Sequence, residues 1–310
     1  MKTATTRRRK TDAPIGTEQK FPSVAPAKGV ELVMADALQW MAAREENSIH
    51  AIVTDPPYGL IEFDDEEHDK LRAGKGGVWR IPPSFDGSKR TPLPRFTVLT
   101  AADRERLSTF FAAFAYQASR ILVPGGHLVI ASNPLVSSTT FAAVETSGLE
   151  KRGELIRVVK TLRGGDRPKG AEAEFAEVSV MPRSTWEPWG LFRKPISERT
   201  VADNLRKWKT GGFRRISEDE PFRDLFEAPP ARDPERSIAP HPSIKPQRLM
   251  RHLVRHVLPM GSGIVYDPFS GSGSTLAAAA HLGVQAIGTE RDALYFAMAA
   301  KAIPQLAALE

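Results

Sequence analysis

The sequence predicts a doubly wound α/β fold: a mixed, mostly parallel sheet with helices on both faces and long inserted segments. Three observations carry this. From Gly29 onward short apolar runs alternate with stretches of helical periodicity, two of the runs end in a carboxylate (Asp36 and Asp55), and a glycine-rich turn at Gly271-Ser272-Gly273 joins a strand to a helix.

The elements follow in order. Val30–Met34 reads as a strand ending at Ala35-Asp36, Leu38, Met41 and Ala42 suit a short helix, and His50–Thr54 is a buried strand running into Asp55. Thr100 with Asp103 three residues on has the pattern of a capping box. The helix it opens places Leu107, Phe110, Phe111, Phe114 and Ile121 on one face. Pro124-Gly125-Gly126 stops that helix before a strand at His127–Ala131, and further strands are expected at Leu155–Leu162, Ala176–Met181 and Trp189–Arg193. Lys245-Pro246 opens a helix with Leu249, Met250, Leu253, Val254 and Val257 facing inward. A strand at Ile264–Tyr266, a helix from Ser274 to about His281, a strand at Ala286–Gly288 and a helix over Asp292–Ala302 complete the pattern.

Residues 1–28, with Arg7, Arg8, Arg9 and Lys10 and little to bury, read as a disordered basic arm, and 303–310 as a C-terminal tail. One domain over 29–302 is expected, with 29–163 and 241–302 as its two halves. Stretches 59–99 and 164–240 are polar, rich in Pro and Gly, and too long for ordinary connections, which marks them as substrate-binding insertions. The absence of an apolar run long enough for a membrane span or secretory signal points to a soluble cytoplasmic protein with no membrane partner. Forty-three Lys and Arg against 37 Asp and Glu give a net charge of +6, which favours polyanionic partners only slightly. With no cysteine, disulfides, thiolate metal sites and any cysteine nucleophile are excluded, and no metal site is expected.

Two constellations carry chemistry. Asp267-Pro268-Phe269-Ser270-Gly271-Ser272-Gly273-Ser274-Thr275 lies between a strand and a helix, where such sheets bind nucleotide-like ligands. Its glycines admit close backbone approach, and the helix start offers free N–H groups to an anion; a tight turn would need the same glycines. Glu290, about twenty residues on, suits ribose hydroxyls or a cap for the helix that follows. Leu276 replaces the third glycine of a dinucleotide fingerprint and no Gly-Lys-Ser/Thr exists, which disfavours NAD and ATP.

The second constellation is Asp55-Pro56-Pro57-Tyr58, at the end of a strand. Two prolines fix a rigid turn, so the Asp55 carboxylate and the Pro56 carbonyl are held as two acceptors at the strand's carboxyl end. Set against the two N–H bonds of an aromatic exocyclic amine, they would draw its nitrogen toward sp³ and free the lone pair. Tyr58 supplies a face on which a base swung out of a duplex could stack.

The chain resembles the DNA amino-methyltransferases of the β arrangement. The resemblance rests on five ordered blocks: Asp36 in Ala35-Asp36-Ala37-Leu38 before Asp55–Tyr58, then Leu122-Val123-Pro124-Gly125-Gly126, His241-Pro242-Ser243-Ile244-Lys245-Pro246, Asp267–Thr275, and Gly288-Thr289-Glu290. Together they cover most of 29–302. It implies a seven-stranded methyltransferase sheet, S-adenosyl-L-methionine as cofactor and double-stranded DNA as partner. Asp55, Pro56, Pro57 and Tyr58 would be catalytic. Asp267, Pro268, Phe269, Gly271, Gly273 and Thr275 would surround the donor's methionine end, with Asp55 and His241 beside it. Glu290 would take the ribose, Asp36 would lie near the donor adenine, and Lys245 would help hold the carboxylate. Ser243 and Ile244 depart from the usual His-Pro-Thr-Gln-Lys-Pro block.

Asp rather than Ser at 55 leans toward adenine N6 over cytosine N4, and the missing cysteine excludes C5 methylation of cytosine. RNA as substrate, or a non-catalytic nucleic-acid binder, are the other readings. Enzymes of this type are often dimeric, so a homodimer is expected, and a cognate restriction endonuclease is a companion of such enzymes. Residues 193–215 hold eight basic side chains against two acidic ones, interleaved with aromatics. Arg193, Lys194, Arg206, Lys207, Lys209, Arg214 and Arg215 are therefore the expected phosphate contacts. Lys75, Arg80, Lys89 and Arg90 form a second candidate surface.

Overall fold

A computed structural model describes residues 21–57, 100–159, 165 and 167–310. Its nine strands are β1 (Ser23–Ala27), β2 (Val30–Met34), β3 (Ile49–Thr54), β4 (Leu122–Ala131), β5 (Glu150–Val158), β6 (Trp186–Arg193), β7 (Leu225–Glu227), β8 (Ile264–Asp267) and β9 (Gln285–Glu290). They form one sheet in the order β1-β2-β9-β8-β3-β4-β6-β5-β7. The five central strands β2, β9, β8, β3 and β4 are mutually parallel, β6 runs antiparallel between β4 and β5, and β1 is antiparallel to β2. The expected doubly wound mixed sheet is present, with nine strands among the described residues instead of seven.

The central strands alternate their side chains between two buried faces. On one side Ala51, Val53, Val129 and Val265 pack against helices α6 (Gln247–Val257), α7 (Ser274–Leu282) and α8 (Ala293–Ala308). On the other, Ile52, Leu128, Ile130 and Tyr266 meet helices α1 (Ala37–Ala43), α2 (Ala101–Ile121) and α3 (Ser137–Glu145). Helix α2 starts at the expected capping box: Thr100 Oγ1 accepts from Asp103 N at 3.2 Å and Asp103 Oδ2 accepts from Thr100 N at 2.9 Å. Its Leu107, Phe111, Phe114 and Ile121 are buried as the periodicity requires. Helices α4 (Val201–Trp208) and α5 (Glu235–Ile238) lie in the long stretch before α6.

Several expectations are corrected. Residues 23–27 of the supposed N-terminal arm are a strand, because their backbone completes the outer edge of β2; residues 1–20 lie outside the described residues. Pro124-Gly125-Gly126 falls inside β4, which begins at Leu122; the ladder with β3 shifts register here, and a Cβ on Gly126 would sit 2.9 Å from His50 O. Residues 176–181 are turn, bend and irregular backbone instead of a strand, and the preceding strand is Glu150–Val158.

The last helix does not leave a tail after 302. Pro304 lacks the N–H that would bond the preceding turn, yet α8 continues through it to Ala308. Ile303 and Leu306 are fully buried in the core beneath α6 and α7, and Arg251 Nη2 donates to Leu306 O at 3.1 Å and Leu309 O at 2.7 Å. Leu306→Ala should therefore lower the unfolding free energy by about 2–4 kcal/mol in urea titration. A change under about 0.5 kcal/mol, the usual size for a surface position, would mean this segment is a tail after all.

Candidate active site

The winding of the sheet reverses between β8 and β3, and both constellations sit at the carboxyl ends of these neighbouring strands, where such sheets bind ligands. Asp267 ends β8. Its Oδ1 accepts from Thr54 Oγ1 at 2.7 Å and from Phe269 N at 3.1 Å, so the last residue of β3 is tied directly to the glycine-rich turn. The turn coils tightly: Gly271 and Gly273 have φ of +48° and +80°, and a Cβ on Gly273 would lie 2.5 Å from Ile303 Cγ1. Gly288 on β9 is needed for the same closure, since its Cβ would meet Ser270 Oγ at 2.2 Å.

Glu290 ends β9 and accepts from Gly271 N at 2.8 Å and from Asp292 N at 2.9 Å, fixing the turn against the start of α8. Pro268 O accepts from Thr289 Oγ1 at 2.8 Å, and the Phe269 ring lies 5.7 Å from that of Phe114. Thr275 is buried and donates to Asp267. Asp36 follows β2, whose backbone pairs with β9 through Ala35 N to Glu290 O at 3.1 Å. The Asp36 carboxylate caps α1 by accepting from Leu38 N and Gln39 N. The His241 imidazole closes over the turn, 3.3 Å from where a Cβ on Gly271 would stand. Burial, and then the charge of Lys245, lower its pKa to about 4, so the ring is neutral at physiological pH.

Asp55 follows β3, with Pro56 buried and Pro57 exposed; Tyr58 lies outside the described residues. The Asp55 carboxylate makes an ion pair with Lys245, whose side chain is only 10% exposed. Lys245 in turn lies 3.8 Å from Glu187 Oε2. Glu187 on β6 is bonded by Trp189 Nε1 at 2.8 Å and by Arg157 Nη1 at 3.3 and 3.4 Å. Thr54, Arg157 and Glu187 were not among the expected site residues. Glu187 lies just before the strand expected at Trp189–Arg193, and only the strand pairing that sets Trp189 opposite Ala131 brings it to Lys245, the partner of Asp55.

The electrostatics are dominated by burial. Desolvation pushes the Asp267 carboxyl up to about 6 and the Asp55 charge adds to this, against hydrogen bonds from Thr275, Thr54 and Phe269 N. Glu290 is also raised by burial. Glu187 shows the opposite outcome: burial would raise it, but the Lys245 and Arg157 charges hold it below the usual carboxylate range. A rigid glycine cradle flanked by carboxylates at three neighbouring strand ends suits a ligand with a cationic amino-acid end and a ribose diol. The Asp55 carboxylate, one strand away, suits an N–H donor.

The basic segment is not part of this edge. Arg193 is buried, donating to Glu150 Oε2 at 2.7 Å and to Gly211 O at 3.0 Å, and Lys194 Nζ donates to Leu122 O and Asn47 Oδ1 at 2.8 Å. Both stitch the scaffold, which corrects their expected role as phosphate contacts. Arg206, Lys207, Lys209, Arg214 and Arg215 are exposed but lie at the opposite end of the sheet. Helix α4 is fastened there by Asn204 Nδ2 to Pro124 O at 3.0 Å, and Arg214 N donates to His256 O at 2.8 Å at the end of α6. The six residues of β3 separate this edge from Asp55 by about 17–20 Å. What leaves the Asp55 edge is the β5–β6 connection, with Arg167, Lys169 and Arg183 and the exposed Phe175, Val178 and Val180. Lys75, Arg80, Lys89 and Arg90 lie outside the described residues.

Fold and site together define a methyltransferase of the doubly wound class. The model of the N6/N4 DNA methylase family matches residues 49–301, and the chain belongs to this family. It is 26% identical over 282 residues to the type II methyltransferase M.HindIII of Haemophilus influenzae, covering 83% of this chain and 90% of that one. Among solved structures it is similar to TTHA0409 of Thermus thermophilus complexed with S-adenosyl-L-methionine, at 21% identity and TM-score 0.55, over 89% and 95% of the two chains. The cytosine-N4-specific PvuII DNA methyltransferase matches at 14% identity and TM-score 0.59, over 93% and 95%. The chain is thus a DNA amino-methyltransferase, and S-adenosyl-L-methionine is its cofactor. Among the described residues, no helix is long and apolar enough to cross a membrane.

Two outcomes are expected. A carboxyl whose folded pKa lies above its unfolded value of 3.8 holds its proton more tightly in the native state, so Asp267 lowers stability as pH rises toward about 6. Asp267→Asn should therefore be more stable than the native protein at pH 8 by about 1–3 kcal/mol in urea unfolding, equal to it near pH 4, and defective in donor binding by calorimetry. A less stable variant at pH 8 would show that the ionised carboxylate stabilises the fold. Replacing Arg206, Lys207 and Lys209 together by Ala should leave methyl transfer to DNA within about twofold, as for other surface changes away from a site. A loss beyond tenfold would return the DNA to the far edge.

Proposed function

We propose that the chain is a site-specific DNA methyltransferase acting on adenine N6 in duplex DNA by base flipping. The observation that carries this is the Asp55 carboxylate, held at the end of β3 one strand from the glycine cradle and followed by the rigid Pro56-Pro57 pair. The exocyclic amine is a poor nucleophile because its lone pair is delocalised into the ring. Asp55 Oδ and the Pro56 carbonyl accept its two N–H bonds and draw the nitrogen toward tetrahedral geometry, and Tyr58 offers a stacking face.

In this reading the cradle residues Asp267, Pro268, Phe269, Gly271, Gly273 and Thr275 hold the donor's methionine end, with His241 over them. Glu290 accepts from the ribose, Asp36 borders the adenine, and Lys245 is in reach of a carboxylate. Bound there, S-adenosyl-L-methionine supplies a methyl carried on a sulfonium. The amine nitrogen, its lone pair freed by Asp55 and Pro56, would take that methyl as its bond to sulfur is given up, and Asp55 would receive the surplus proton and pass it to water. The β5–β6 connection, on the same edge, supports a DNA-contacting role for Arg167, Lys169 and Arg183.

Asp at position 55, where the cytosine N4 enzymes commonly carry Ser, supports adenine. The cytosine-N4-specific PvuII enzyme shares the fold, so the fold does not choose the base. Methyl transfer from tritiated S-adenosyl-L-methionine to unmethylated bacterial DNA, followed by mass spectrometry of the nucleosides, should yield N6-methyladenine; N4-methylcytosine would overturn the base assignment. Asp55→Ala should reduce turnover by about 10²–10⁴-fold while leaving donor affinity within about threefold. Near-native turnover would remove Asp55 from the chemistry.

A further inference from the structure

Four charges stand in a row from the centre of the sheet toward β5, alternating in sign, with Lys245 and Arg157 buried and Asp55 and Glu187 partly so: Asp55, Lys245, Glu187 and Arg157. The members at the Glu187 end are held by hydrogen bonds. Arg157 is fixed by Nε to Ala228 O at 3.0 Å and Nη2 to Pro229 O at 3.0 Å, and Trp189, which donates to Glu187, is fully buried. Glu187 is thereby a rigid anion. Lys245, in contrast, carries its charge on a flexible four-carbon stem and lies within reach of two carboxylates, in contact with Asp55 and 3.8 Å from Glu187.

Resting on Asp55 as the amine acceptor, this row sets a requirement. The ammonium of Lys245 occupies an oxygen of Asp55, the carboxylate that must receive an N–H of the base. The incoming amine is neutral and brings no charge to replace the ammonium. In a poorly solvated site the ammonium cannot simply be released, because an unpaired buried charge costs several kcal/mol. It needs a second anion close by; in the reading above the donor's carboxylate is one, and Glu187, 3.8 Å away, is the one the chain itself supplies. We propose that Glu187 is a positioning residue for methyl transfer: it shares the Lys245 ammonium with Asp55 and takes it over when the amine of the target base binds Asp55. Without the Glu187 charge, the Lys245 ammonium is drawn more strongly to Asp55, and the acceptor stays covered.

Glu187→Gln keeps the shape and an acceptor for Trp189 Nε1 but removes the charge. It should lower kcat by about 10–100-fold, the loss typical of a misplaced reacting group, with donor affinity by calorimetry within about threefold. Because Glu187 acts through Lys245, adding Glu187→Gln to Lys245→Met should cause no further loss in kcat. If Gln is not tolerated in the fold, Glu187→Asp sets the charge one methylene further back and should also lower kcat with donor affinity kept. Native kcat in the folded Gln or Asp variant, independent and additive losses in the double variant, or a matching collapse of donor affinity would each overturn the proposal. An inactive Asp55→Ala beside a fully active Glu187→Gln would leave the reading of Asp55 standing and remove only Glu187.

Discussion

The crowding of carboxylates at the carboxyl edge of the sheet is the constraint around which the rest is arranged. Parallel strands deliver their ends to one side, and here β3, β8 and β9 deliver Asp55, Asp267 and Glu290 to it. Burial alone would drive such groups to bind protons. Thr54 and Thr275 hydroxyls, backbone N–H groups of the glycine turn and the Lys245 ammonium hold them in place. Lys245 can do so only because the segment before α6 is pulled over the edge. Gln247 N donates to Glu235 Oε1 at 2.6 Å and Gln247 Nε2 to Ser274 O at 3.0 Å, binding the start of α6 to α5 and α7.

The opposite edge is built the other way round, with cations spent on backbone carbonyls. Arg120 donates to Arg44 O, and Lys194 and Arg193 close the ends of β4 and β6. Asn204 and Thr210 both donate to Pro124 O, locking α4 beneath Gly125. Much of the positive charge of residues 193–215 is consumed here, in stitching or in surface pairs such as Arg206 with Asp203 and Lys207 with Glu198. Cations bonded to backbone carbonyls gather at this edge, and desolvated carboxylates at the other.

Features that depend on neighbours in the chain were legible without the structure. The capping box at Thr100 and Asp103, the tight glycine turn at 271–273, and the stop that Asp55-Pro56 imposes on β3 all follow from local chemistry. What could not be read is direction. The composition of Trp189–Arg193 marks a strand, but nothing in it says that β6 runs against β4. That single reversal carries the basic segment to the far edge and brings Glu187 to Lys245. The strand at Ser23–Ala27 and the buried turn after Pro304 failed for a related reason: each is stabilised by a partner far away in sequence, β2 for the first and the α6–α7 layer for the second.

The position of the winding reversal also bears on the chemistry. Neighbouring strands in a sheet lie about 4.8 Å apart. A methyl group passing in line between two heteroatoms needs its acceptor about 3–3.5 Å from the carbon before reaction, with the leaving atom a bond length beyond. In the proposed reading, groups held at the ends of β3 and β8, and tied across by Thr54 to Asp267, are therefore spaced on the scale of the transfer. A reversal one strand further along would insert β4 or β9 between donor cradle and acceptor and double the gap. In the proposed reading the order of strands, more than any one side chain, sets the acceptor beside the donor cradle; the side chains decide what is accepted.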